Sequence, residues 1–154
     1  VAFILRMIPV FFIQSILQHA TKIKDRSKDE FHKFLSNYFK FGLLTTLIIA
    51  IITCFFSDFI IEIFADERIY YSSKILSLLS FIPFLAMLNF KNVVYMLVND
   101  LKSKLNKATF YTLLLFLINS LILTNIYGGY GLAYSLLLTE IFSFIIHYFL
   151  INRK

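Results

Sequence analysis

Residues 41–56 read FGLLTTLIIAIITCFF, a run without a single charged side chain. Comparable apolar runs occur at about residues 1–18, 75–98, 108–126 and 130–151. A helix that crosses the hydrocarbon of a bilayer needs about 20 such residues, because lipid cannot hydrogen-bond the backbone and every N–H and C=O must be satisfied within the segment. The runs therefore predict an all-α integral membrane protein of about five transmembrane helices. Composition agrees, since a chain that is 59% hydrophobic and 16% charged has too little polar surface to clothe a soluble fold. With 4 Gly, 2 Pro, no Trp, and 19 Phe and 9 Tyr among Ile/Leu runs, the pattern suits helices and not the dyad alternation of a membrane barrel.

The chain opens on Val1 inside an apolar run, with no charged segment or small-residue cleavage site before it, and so reads as a piece of a longer protein. Cys54 is the single cysteine and has no partner here for a disulfide. No Cys/His set has metal-ligand spacing, and neither metal nor cofactor is expected.

Charge separates the connections into two kinds. Lys22, Lys24, Arg26, Lys28, Lys33 and Lys40 lie between the first two runs, Lys102, Lys104 and Lys107 between the third and fourth, and Arg153 and Lys154 at the end. The alternate connections are poor in cations: Arg68 and Lys74 stand against Asp58, Glu62, Asp66 and Glu67, and residues 127–129 carry no charge. Basic connections stay in the cytoplasm, so all of them agree on one topology with the C-terminus inside. The formal charge of +6 is thus distributed by membrane side and not gathered in an aromatic-studded patch, which argues against a nucleic-acid partner. Residues 22–33 mix both signs at helical spacing and read as either a short cytoplasmic helix near anionic headgroups or a solvated loop. Asp58 and Glu62, one turn apart, extend the second span into the outer interface. Residues 127–131, YGGYG, supply a tight turn between interfacial tyrosines and make the last two spans an antiparallel hairpin.

Ionisable residues inside a span cost several kcal/mol unless they face protein, water or a partner. Arg6, followed on roughly the same face by Gln14 and Gln18, suits a phosphate or carboxylate, or a structural acidic partner. Lys91 stands one turn before Tyr95, beside a stripe of Asn89, Asn92 and Asn99; this is a wet cavity wall or a lysine reaching the headgroups. Glu140, with Ser143 and His147 three and seven residues on, is a candidate for proton coupling or a structural carboxylate within the bundle. Thr46, Ala50, Thr53 and Ser57 on the second run, and Thr112, Asn119 and Ser120 on the fourth, read mainly as close-packing positions. Each span sets a polar or small stripe against an apolar face, as helices around a hydrophilic path do. Pro9 and Pro83 are positions for a kink or a tolerated bend. Neither a Ser/His/Asp set, HExxH, a glycine-rich phosphate loop nor an aspartate-rich motif is present, and an enzyme is not expected.

RMIPVFFIQSILQHATK at 6–22 leads into a basic connection, FFSDFIIEIFADERIYYSSKILSLLSFIPFL at 55–85 places a short outer segment before a proline-containing span, and INSLILTNIYGGYGLAYSLLLTEIFSFIIHYFL at 118–150 ends the chain in a hairpin. Together they resemble the C-terminal part of polysaccharide biosynthesis proteins, the Wzx-like O-antigen flippases of the multidrug/oligosaccharidyl-lipid/polysaccharide exporter superfamily. That resemblance implies a fold of twelve or more helices in two halves, in which these runs are spans eight to twelve. It implies alternating access that carries an undecaprenyl-pyrophosphate-linked oligosaccharide across the bacterial cytoplasmic membrane, with membrane lipids and other polysaccharide-assembly proteins as further partners. Arg6 and Lys91, with Asn89, Asn92 and Asn119, are then the substrate-cavity candidates, and Glu140 and His147 the coupling candidates. A cation-coupled multidrug exporter of the same superfamily, a membrane anchor or a non-functional fragment are the alternatives.

Overall fold

A computed structural model describes residues 2–65 and 69–152, with the side chains of Ala2, Phe3 and Arg6 outside the description. The charges expected at Asp66, Glu67, Arg68, Arg153 and Lys154 fall outside the described residues. Within them the only regular structure is α-helix, in the order α1 (Ala2–Arg26), α2 (Lys28–Phe55), α3 (Ser57–Ala65), α4 (Tyr70–Leu79), α5 (Ile82–Leu88), α6 (Phe90–Val98), α7 (Lys102–Tyr127) and α8 (Gly129–Asn152). The all-helical membrane architecture read from the apolar runs is the one observed. Among the described residues, four stretches are long and apolar enough to cross a membrane: α2, α4 to α6 taken together, α7 and α8. The first expected span falls within α1, part of which lies outside the description.

The helices outrun the apolar runs. Residues 22–40 form neither a loop nor a separate short helix: α1 continues through Arg26 and α2 begins at Lys28, with Ser27 alone between them. Lys, Arg, Asp and Glu are adequate helix formers, so nothing in this segment stops the helix except its cap. Ser27 is extended, with φ −156° and ψ 127°, and its side chain accepts the Glu30 N–H at 3.4 Å. Ser27 and Glu30 stand in the spacing of a capping box, with Asp29 adding negative charge to the first turn.

The third span is broken twice. Pro83 has no N–H to give to the Leu79 carbonyl, and just before it the helical ladder tightens to a turn at Ser80 and Phe81, both still right-handed, with the Phe81 N–H bonded to Leu78 O at 3.4 Å; the proline then sits in the first turn of α5. At Asn89 the turn tightens again, with Asn89 N–H bonded to Ala86 O at 3.1 Å, before α6 begins. Pro9, by contrast, lies inside an unbroken α1.

Two apolar clusters hold the bundle. Ile16, Ala20, Phe31, Leu35, Met87, Phe90, Val94 and Val98 pack α1, α2, α5 and α6 together, while Leu79, Ile82 and Ala133 join α4 and α5 to α8. The ends sort as the charge pattern requires. Lys24 Nζ reaches 2.9 Å to the Val98 carbonyl, capping the end of α6 from α1, so the Ser27 turn and the α6–α7 turn lie at one end of the bundle. At the other end, the Tyr71 hydroxyl accepts the Gly129 N–H at 2.9 Å, joining the start of α4 to the α7–α8 turn. That turn is the expected hairpin, reduced to one linking residue, Gly128, at φ 59°.

Close approach in α8 rests on Gly131, where a Cβ would collide with the Leu123 carbonyl on α7. Gly131→Leu is expected to cost about 1–3 kcal/mol of bundle stability through overpacking. Leu132→Ile, at an exposed neighbour, should change the thermal midpoint in detergent far less.

Candidate functional site

A polar seam forms where the tightened turn at Asn89 meets α8. Asn89 is 6% exposed and His147 4% exposed, and no apolar partner separates them. The Asn89 amide nitrogen lies 3.1 Å from Ser143 Oγ and 3.0 Å from His147 Nδ1, and Asn92 Nδ2 donates to Asn89 Oδ1 at 3.3 Å. His147 Nδ1 also lies 2.8 Å from the Ser143 carbonyl, one turn back on α8. The heavy atoms fit two hydrogen placements. In one, a bare Nδ1 accepts from Asn89. In the other, Nδ1–H donates to the Ser143 carbonyl and both amides are turned over. Either way the two helices are tied by polar side chains.

The seam joins two cavities. One, of about 210 Å³, is lined by His32, Leu35, Lys91, Asn92, Tyr95, Tyr148, Ile151 and Asn152. Lys91 leans toward α2, its ammonium 4.5 Å from the Phe39 ring centroid and 3.5 Å from Ser36 Oγ, and His32 stacks on Tyr95 with centroids 6.5 Å apart. The second, of about 350 Å³, lies between α7 and α8 and is lined by Thr109, Thr112, Leu113, Phe116, Thr139, Glu140, Ser143 and His147. Asn92 faces the first cavity and His147 the second, so the Asn92–Asn89–His147 chain crosses from one to the other. The first cavity presents cationic and hydrogen-bonding groups suited to an anion, the second a carboxylate and an imidazole suited to handling protons.

Residues 2–154 match a family model described as polysaccharide biosynthesis protein. The chain belongs to the polysaccharide biosynthesis protein family. No curated protein and no solved structure matches it.

In this polysaccharide biosynthesis protein, the structure brings Lys91, Asn89 and Asn92 together with His147, and places Glu140 in the cavity that His147 shares. Asn119 is half-buried on α7 and lines neither cavity. The Arg6 side chain lies outside the described residues. Asn99 leaves the stripe, donating to the Tyr95 carbonyl at 2.8 Å as the cap of α6. Sequence reasoning missed His32 and Asn152, which enter because α2 and α8 extend past their apolar runs, and Tyr148, which lies within the last run and stands one residue after His147. It also missed the four-residue repeat Gly131, Ser135, Thr139, Ser143, His147, whose members are all buried. The repeat was visible as a small-residue ladder, and His147 is its last rung. Among the described residues, no group of three or more His, Cys, Asp or Glu side chains is placed to hold a metal ion.

The network makes a thermodynamic prediction. Asn89→Ala and His147→Ala should each destabilise the bundle, and the double variant should fall short of their sum by about 0.5–2 kcal/mol. Strictly additive losses in a double-mutant cycle would dissolve the proposed link between the helices.

Proposed function

We propose that this protein takes part in surface polysaccharide synthesis by moving a lipid-linked oligosaccharide across the bacterial cytoplasmic membrane, through alternating access and without catalysing a reaction on it. The observation that carries the reading is the cavity lined by Lys91 and His32 with Asn92, Tyr95, Tyr148 and Asn152, in a member of a polysaccharide biosynthesis family. An ammonium, an imidazole, amides and phenol hydroxyls around one concavity match the charge and acceptor oxygens of a pyrophosphate. This cavity sits at the end of the bundle that carries the basic connections, and the excess of Lys and Arg there supports a cytoplasmic position with the C-terminus inside. Cargo made on the cytoplasmic face would thus meet the cationic cavity first. Arg6 is the second cation proposed for the same cargo, and other polysaccharide-assembly proteins are proposed partners.

Transport in this reading needs the halves of a larger bundle to rock. The double break in the third span, at Ser80–Phe81 and Asn89, supplies two places where a membrane helix can change direction without breaking a long hydrogen-bonded run. A cation-coupled exporter of amphipathic cations is the second reading, favoured by Glu140 and His147 lining one cavity. A cationic first cavity opposes it, because like charge repels such cargo.

The test is genetic. In a bacterium lacking its flippase but making the matching glycan, the full-length protein is expected to restore surface polysaccharide. Lys91→Ala and Arg6→Ala, at equal membrane abundance, should each lower it by about 10- to 100-fold, the loss of one charge-assisted contact to phosphate. Lys91→Arg should retain most of it. Failure of the full-length protein to restore polysaccharide would favour drug export.

A further inference from the structure

A further cavity is at the other end of the bundle from Lys91. It measures about 510 Å³ and is lined by Lys74, Ser77, Leu78, Tyr127, Tyr130 and Tyr134, from α4 and the two sides of the α7–α8 turn. Tyrosines at a membrane interface commonly anchor a helix by pointing outward to the headgroups. Here they converge. Gly128, at φ 59°, makes the turn so tight that Tyr127 and Tyr130 flank it, and Tyr127 meets Tyr134 edge-on with centroids 6.1 Å apart. Tyr71 holds the far wall: its hydroxyl accepts the Gly129 N–H and its ring meets Tyr130 edge-on at 4.8 Å. Lys74 Nζ stands 4.3 Å from the Tyr70 ring centroid, fixing the ammonium on the rim.

The cavity therefore offers aromatic surface from three tyrosines, ringed by phenol hydroxyls, the Ser77 hydroxyl and one ammonium. A purely apolar acyl chain has no use for that rim, and a phosphate group has no use for the aromatic walls. A sugar ring has both halves of the match: a face of C–H groups that lies against an aromatic surface, and an equator of hydroxyls that give and accept hydrogen bonds. We infer that this cavity is a saccharide subsite, taking the glycan part of the cargo at the end of the bundle opposite the Lys91 cavity, with Lys74 favouring sugars that carry a carboxylate. The inference rests on the proposed transport of a lipid-linked oligosaccharide. Binding is nevertheless a separate observable, because a sugar without its lipid can occupy the subsite with no transport step.

Saturation-transfer NMR on the full-length protein in nanodiscs, with cellobiose and its uronic acid counterpart as lipid-free probes, tests it. Both disaccharides should receive saturation at their ring protons, the acidic one more strongly. Tyr134→Leu, which keeps an apolar side chain at the interface, should reduce both signals by about three- to tenfold. Tyr134→Phe, which keeps the ring, should retain most of the signal, and Lys74→Gln should remove the advantage of the acidic sugar alone. An unchanged elution profile and thermal midpoint for each variant separate binding from folding. No transfer to either sugar in the wild type, or transfer indifferent to Tyr134→Leu, would overturn the subsite and reduce the cluster to an interfacial anchor. Because surface-polysaccharide rescue is scored independently, a protein that rescues but shows no transfer loses only the subsite. One that shows transfer but does not rescue keeps the subsite and loses the transport reading.

Discussion

In hydrocarbon, packing leucine against leucine removes no apolar surface from water, so membrane helices associate through close van der Waals packing and where their polar groups meet. Both conditions govern this bundle. The buried face of α2 runs through Gly42, Thr46, Ala50 and Thr53, and that of α8 through Gly131, Ser135, Thr139 and Ser143, while the large Leu, Ile and Phe side chains of both helices are mostly turned outward. The hydroxyls on these faces return to their own helices: Thr46 donates to the Gly42 carbonyl at 2.7 Å, Ser135 to Leu132 at 2.8 Å and Thr139 to Ser135 at 2.6 Å. They are satisfied without demanding a partner across the interface, and so permit tight packing without fixing chemistry.

Chemistry begins where the ladder ends. His147 occupies the same face of α8 as the small residues, but is too large to pack flat and reaches the amide of Asn89. Asn89 is available because the third span is not a continuous helix. Pro83 interrupts it, α5 is short, and the tightened turn that follows presents a side chain toward α8. One proline and one ladder of small residues thus bring together groups 58 positions apart and link the two cavities flanking α8.

The membrane class and the helical architecture were legible because the constraint acts on every residue of a span: uncharged runs such as 41–56 have no other stable solution in one sequence. The sorting of connections was legible for the same reason, being a property of summed charge. The helix ends were not, since residues 22–40 are polar yet helical, and hydropathy measures solvent and not backbone conformation. That error hid His32, which lies outside the apolar run but inside α2. Lys91, Asn89 and Asn92 stood out because polar residues in a span are costly, whereas their partners Ser143 and His147 became specific only when the register of α8 against the Asn89 turn was known. Asn119 met the same sequence criterion and lines neither cavity, because α7 packs mainly on α8 along one side and most of its other faces are exposed.

The role proposed for the cationic cavity at the basic end of this bundle is the movement of lipid-linked glycan. Reconstitution of the purified full-length protein into liposomes loaded on one side with undecaprenyl-pyrophosphate-linked oligosaccharide measures this directly, through the glycan that becomes accessible to a glycosidase on the other side. The expected result is transbilayer movement well above that of protein-free liposomes and sharply reduced by Lys91→Ala. Movement no faster than in protein-free liposomes, with the protein folded and inserted, would contradict it.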